Sequence, residues 1–318
     1  MRKRIKQILA GALCFGLAIS DKSALSLGEI NMDKVTVQAA ENVSDITIDG
    51  NNINKENKNG LTYKGFGLLT ANSTSDLLMD YKAEHPEKYV EMLQYLFGGS
   101  KPLMTHVKIE MGNDRNNSTG AESCTMRTED ETANVKRNAG FQLAADAKKI
   151  NPNIKISILR WNTPKWANTT EKQYIWYKNT IMAAYETYGY MVDYINPNRN
   201  EAWSDKTDTE NVKKFAKWIQ KENSDTIKDA KALDLYKKIK FIVSDEAEMI
   251  AKTAVNALYT DEEYKNAVAA IGWHYPYSVA SKSRDGADIL TKDDIIKIAD
   301  EMDKEVWNSE NQAVFSDS

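Results

Sequence analysis

An α/β fold of parallel strands beneath an outer layer of helices, closed as an eight-stranded barrel, is predicted by three features of this 318-residue chain. Strand-like runs recur at 63–69, 105–111, 154–160, 192–196, 239–244, 267–273 and 305–307, with helix-like segments between them. Several runs are apolar on both faces, Phe241-Ile242-Val243 and Ala269-Ala270-Ile271 among them, as parallel strands buried under helices must be. No glycine-rich phosphate fingerprint follows any run, which favours a barrel over a doubly wound nucleotide-binding sheet.

Residues 1–20 read as an export signal. Arg2, Lys3, Arg4 and Lys6 form a basic start, and the apolar stretch from Ile8 to Ile19 is too short to span a bilayer. Two small-residue stretches, Ala18-Ile19-Ser20 and Val37-Gln38-Ala39-Ala40, are alternative cleavage points. Leu13 stands before Cys14 where a lipoprotein signal needs a small residue, so no lipid anchor is expected. Residues 1–40 are therefore assigned to signal and lead-in, and 41–60 to a polar lead-in with one strand signal at Ile46-Thr47-Ile48. Residues 61–318 form the barrel domain. No other stretch approaches the roughly 20 apolar residues of a membrane span, and the expectation is a secreted protein.

Between the strand runs lie helical patterns. Tyr89, Met92, Leu93 and Leu96 share one face, as do Ile295, Ile298, Ala299 and Met302. Thr291 with Asp294 three residues on gives the latter a capping-box-like start. The seventh run ends at Glu310. A closed barrel of this type takes eight strands, and seven leave two sheet edges open. The eighth strand is expected to lie outside this chain.

Charge and cysteine usage narrow the function. Removal of residues 1–40 takes away six Lys/Arg and three Asp/Glu, which moves the net charge from −4 to about −7. There is no basic stripe to neutralise phosphates, so nucleic acid is not an expected partner. Beyond residue 40 only Cys124 remains, which excludes an intramolecular disulfide, and nothing near it activates a thiolate. Three histidines, none at ligand spacing with another, argue against a zinc site. No metal and no cofactor are expected.

Two carboxylates mark the chemistry. Glu201 closes the fourth strand run and its extension through Asn196-Pro197-Asn198-Arg199-Asn200, and Glu310 closes Glu305-Val306-Trp307-Asn308-Ser309. Function in β/α barrels sits at the carboxyl ends of strands. Glycoside hydrolysis with retention needs an acid/base and a nucleophile about 5–5.5 Å apart, a distance that the fourth and seventh strands of such a barrel can provide. Asn200 beside Glu201 offers an amide to a sugar hydroxyl.

Short motifs follow one another along residues 63–310: Gly65-Phe66-Gly67, Thr74-Ser75-Asp76-Leu77-Leu78-Met79-Asp80-Tyr81 and Val107-Lys108-Ile109-Glu110-Met111-Gly112 with Asp114. The Asn151-Pro152-Asn153-Ile154 turn, Trp161, Asp193-Tyr194-Ile195, Asn200-Glu201 and Ser244-Asp245 come next. Ile271-Gly272-Trp273-His274-Tyr275-Pro276 and Trp307-Asn308-Ser309-Glu310 complete the series. Individual tetrapeptides carry little weight; their colinear order makes a resemblance to the galactocerebrosidases of glycoside hydrolase family 59 over residues 63–310. It implies a (β/α)8 TIM-barrel glycosidase domain, with the eighth strand, a substrate-binding Arg and β-rich domains beyond this chain. It implies Glu201 as acid/base and Glu310 as nucleophile, Asn200 and Trp161 as galactose contacts, and a substrate-contacting hydroxyl at Ser118 or Thr119. The implied substrate is a β-galactoside of the galactosylceramide type. The chain departs from the family pattern at Arg199, at Asn196-Pro197-Asn198 and at Asn311-Gln312.

Two other readings stay open: a carbohydrate-binding fragment with an impaired site, and a β-glycanase acting on polysaccharide. His274, at the end of the sixth run, reads either as a pocket residue bonding the nucleophile or a sugar, or as a strand-end histidine satisfied locally. Trp161 reads as a sugar contact and Trp166 as packing. Glu110 and Asp245, also at strand ends, are expected to hydrogen-bond the catalytic groups. The polar loop from Asp114 to Thr119 is expected to serve the site. Lys213-Lys214 and Lys237-Lys238 read as solvated helix faces.

Overall fold

A computed structural model describes residues 35–37, 46–49, 51, 63–116, 120–200, 206–246, 252–274 and 292–310. The proposed export signal, Cys14, Ser118, Thr119, Glu201, Tyr275 and Pro276 lie outside the described residues. Contacts divide the chain into two units, residues 1–56 and 57–318. In the first, strand β1 (Val35–Val37) pairs antiparallel with β2 (Ile46–Ile48), with Thr36 opposite Thr47.

In the second unit β3 (Phe66–Thr70) is followed by helices α1 (Thr74–Glu84) and α2 (Pro86–Phe97). Next come β4 (Met104–Glu110), α3 (Ala139–Ile150), β5 (Lys155–Leu159), α4 (Thr170–Tyr188) and β6 (Tyr194–Ile195). The order continues with α5 (Lys206–Lys221), α6 (Ala230–Tyr236), β7 (Lys240–Glu246), α7 (Lys252–Thr260) and α8 (Glu262–Ala267). It ends with β8 (Val268–His274), α9 (Lys292–Met302) and β9 (Glu305–Glu310).

Strands β3 to β9 pair in sequence order, all parallel, as one seven-stranded sheet. The sheet curls on itself. Lys108 on β4 donates to the Ser309 carbonyl on β9 at 3.2 Å, and Lys64 just before β3 meets Glu305 at 3.4 Å. This is the α/β barrel that the alternation of runs predicts, seven strands round among the described residues.

The two faces of the sheet differ in chemistry. Outward residues Val107, Ile109, Ile156, Ile158, Ile195, Phe241, Val243 and Ile271 are buried against Phe141, Tyr177, Ile181, Phe215, Val255 and Ile295 of the helices. Each such side chain contributes roughly 1.5–3 kcal/mol of transfer free energy. Inward, β4 alternates His106, Lys108 and Glu110 with those apolar positions, so a polar column lines the interior. Near the amino-terminal ends His106, Tyr194 and Trp307 close the interior, with ring centroids 5.1 Å apart for His106–Trp307 and 4.8 Å for Tyr194–Trp307. Burial lowers the His106 pKa to about 4, so the ring is neutral at physiological pH and bonds Ser157 at 2.8 Å.

Local chemistry sets the joints. Asn138 caps α3 by accepting from the Gly140 N–H at 3.0 Å and donates to the Glu110 carbonyl at 2.8 Å, tying the helix to the end of β4. Gly140 is required there, because a Cβ would lie 2.3 Å from the Thr70 hydroxyl. A cavity of about 600 Å³, lined by Lys148, Lys155, Asp193 and Lys240 among others, opens at the amino-terminal ends of β5 and β7. It lies at the opposite end of the sheet from Asn200 and Glu310.

Candidate active site

The fourth barrel strand, β6, is only two residues long because Pro197 has no N–H to give to the ladder. The chain stays beside β5 all the same. The Asn196 N–H donates to the Ile158 carbonyl at 3.3 Å and the Asn200 N–H to the Arg160 carbonyl at 2.8 Å. Between them Asn198 N–H donates to the Asn196 side chain at 3.0 Å, a local turn that absorbs the proline. Asn200 is thereby delivered, fully buried, to the carboxyl end of the sheet.

Two irregularities at strand ends aim the remaining groups. On β7, Ser244 pairs with Gly272 and Glu246 with Trp273, which leaves Asp245 as the extra residue of a bulge. Ser244 (φ 69°) and Asp245 (φ 59°) are both left-handed, a conformation that costs about 1–3 kcal/mol at a non-glycine residue. On β9, Trp273 pairs with Asn308 and His274 with Glu310, so Ser309 is the extra residue. Gly272 allows the close approach: a Cβ there would lie 2.8 Å from the Ser309 hydroxyl and 3.2 Å from the Asp245 Cα.

The result is a carboxylate surrounded by donors. Asp245 Oδ1 accepts from Lys108 Nζ at 2.8 Å, from the Ser309 hydroxyl at 2.6 Å and faces His274 Nε2 at 2.7 Å. One end of the Asn200 amide meets only acceptors and the other only an indole N–H, which fixes its orientation. Its nitrogen donates to the Asp245 carbonyl at 3.0 Å and to Oδ2 at 2.9 Å, and its oxygen accepts from Trp161 Nε1 at 3.1 Å. Burial alone would raise the Asp245 pKa; the Lys108 ammonium and the His274 ring outweigh it and hold the carboxyl well below the usual range.

Glu310 stands at the edge of this cluster, with its Oε2 at 3.8 Å from His274 Nδ1 and its side chain 11% exposed. His274 thus lies between Asp245 and Glu310. Trp161 is buried against Ala71 and Leu159 as well as bonded to Asn200. Trp166 donates to the Met126 carbonyl at 3.0 Å and packs on the main core. Glu110 is fully buried and accepts from the Asn72 N–H at 2.8 Å.

On either side of residues 117–119 the chain after β4 is held by backbone bridges and an ion pair. Gly112 bridges Cys124 and Asn116 bridges Ala121, so the flanks of Ser118 and Thr119 are held together. Asp114 takes Arg127 in a two-point ion pair, Nε at 2.8 Å and Nη2 at 3.0 Å, and that pair lowers its pKa. Glu122 accepts from the Ser73 N–H at 2.9 Å, docking the loop on the β3–α1 turn. Cys124 is buried, its thiol pushed up to about 11 by burial, and donates to the Met126 carbonyl. A buried thiol held in its neutral form is a poor nucleophile.

Residues 63–318 match glycosyl hydrolase family 59. The chain belongs to that family. Among curated relatives of this family-59 chain, the galactocerebrosidase of Danio rerio is 27% identical over 269 residues, covering 81% of this chain and 35% of the relative. The galactocerebrosidase of Homo sapiens is 27% identical over 259 residues, covering 78% and 35%. A putative galactocerebrosidase of Caenorhabditis elegans is 32% identical over 157 residues, covering 48% and 22%. The chain thus spans about a third of the length of the vertebrate relatives, 35% in each of these two. The solved structure of an endo-beta1,6-glucanase superposes with a TM-score of 0.55 at 16% identity, over 80% of this chain and 58% of that one. That likeness concerns the fold alone.

Among the described residues no cluster of three His, Cys, Asp or Glu side chains is placed to hold a metal ion. No helix among them is long and apolar enough to cross a membrane. The strand-end cluster offers hydrogen-bond donors and carboxylates, the groups that acid/base and nucleophilic work on a glycosidic bond requires.

Proposed function

We propose that this family-59 chain carries a retaining glycosidase site that releases β-linked galactose from glycolipids of the galactosylceramide class. Glu201 protonates the glycosidic oxygen while Glu310 attacks the anomeric carbon and forms a glycosyl ester. Glu201 then takes a proton from water, which opens the ester with a second inversion and net retention. The observation that carries the reading is Glu310 at the carboxyl end of β9, beside His274 and one residue from Ser309 of the Asp245 cluster. Asn200, in the segment after β6 and next to Glu201 in sequence, belongs to the same cluster. The galactosyl preference is taken from the galactocerebrosidases that the chain resembles.

Proton NMR of the first product released from a dinitrophenyl β-galactoside tests the reaction class. The expected first anomer is β-galactose, which then mutarotates. Appearance of α-galactose first means inversion and contradicts the double displacement. Binding of galactose without any turnover favours an impaired carbohydrate-binding fragment, and turnover of a β-linked polysaccharide in preference to galactosides favours a glycanase.

A further inference from the structure

We propose that Asp245 is a positioning residue that sets both carboxylates of the reaction at once: Glu201 through Asn200, and Glu310 through His274 and Ser309. The inference rests on the two-glutamate reading above. Asp245 is fully buried, so it touches no substrate. Its donors are the informative part. Asn200 is the residue before Glu201 and bonds both the Asp245 carbonyl and its Oδ2. Ser309 is the residue before Glu310, and His274 holds Asp245 on one ring nitrogen and stands 3.8 Å from Glu310 on the other.

One side chain therefore bonds groups from the fourth, sixth and seventh barrel strands, and the fifth supplies it. Lys108, from the second strand, provides the compensating charge from inside the barrel, 2.8 Å from Oδ1. A structural ion pair needs only Lys108 and Asp245. The bulge and the two left-handed residues that turn Asp245 inward are a cost the fold carries in order to place this carboxylate among the neighbours of both glutamates. Retention depends on a carboxyl separation of about 5–5.5 Å, and a misplacement near 1 Å can lower the rate about 10²-fold.

The test uses Asp245→Asn, which keeps the shape, and the double variant Asp245→Asn with Lys108→Met, which removes the uncompensated buried cation. Each is assayed on dinitrophenyl β-galactoside, whose leaving group needs no protonation, and on phenyl β-galactoside, which depends on the acid. Asp245→Asn is expected to lower kcat about 10²-fold on the first substrate and at least about tenfold more on the second, with KM changed less than about threefold. The double variant is expected to regain most of the thermal midpoint while its kcat stays low. Recovery of kcat in step with the midpoint reduces Asp245 to a structural residue and overturns the inference. So does an Asp245→Asn variant that keeps its kcat on both substrates while the wild type turns over. A wild type that turns over neither substrate overturns the two-glutamate reading and this inference with it.

Discussion

Replacing Glu310 with Gln is expected to abolish turnover of an activated β-galactoside, a loss on the order of 10⁴-fold or more, as for other covalent nucleophiles. Gln is nearly isosteric and retains an amide oxygen toward His274, so packing at the end of β9 is preserved. Thermal unfolding of the variant should therefore match the wild type. An amide does not form the glycosyl ester, and the first displacement stops. Loss of activity with an unchanged melting curve separates chemistry from folding. Activity within tenfold of wild type moves the nucleophile elsewhere.

Lys108→Met is expected to have the largest effect on stability, about 3–5 kcal/mol, because it leaves a buried carboxylate without its cation. The Lys108 and Asp245 side chains are 8% and 0% exposed, so solvent does little to screen the loss. The sign with pH follows from the lowered pKa of Asp245. Its contribution is present above the ordinary value of 3.8 and is lost as pH falls through the folded-state value, which lies well below that. Without Lys108 the folded-state value rises, so the acid-side loss of stability begins at a higher pH than in the wild type. Urea unfolding of both proteins between pH 7 and pH 4 measures this. A loss under about 1 kcal/mol at neutral pH would mean that the remaining donors suffice to hold the charge.

Most of the fold is legible in the sequence, for a simple reason. Parallel strands covered by helices are apolar on their outer face throughout, so Phe241-Ile242-Val243 and Ala269-Ala270-Ile271 identify themselves by composition. Lys108 is less legible: His106, Lys108 and Glu110 alternate with Val107 and Ile109, but the pattern alone does not say that the polar side faces the barrel interior. The fourth strand is expected over 192–196 and is found at Tyr194–Ile195, curtailed by the Asn196-Pro197-Asn198 turn.

What the residues alone do not yield is the bulge at Asp245. Period-two alternation from Ile242 and Ser244 would send Asp245 outward, and only the extra residue in the β7–β8 register turns it in. On β9 alternation from the inward Trp307 already turns Ser309 in, and the extra residue in the β8–β9 register instead brings Glu310 opposite His274. Asn200 and Trp161 are each expected to meet a sugar. The structure shows them bonded to one another, an arrangement set by the approach of the chain after β6 to the chain after β5.

Double displacement at this site requires that Glu310 become covalently attached to the sugar. Incubation with a 2-deoxy-2-fluoro-β-galactosyl donor bearing an activated leaving group slows release of the intermediate more than its formation and lets it accumulate. Intact mass followed by peptide mapping then locates the label. The expected result is one fluorogalactosyl group per chain, on the peptide containing Glu310 and absent in Glu310→Gln. A label on any other carboxylate, or steady turnover of β-galactosides with no covalent species formed, would contradict it.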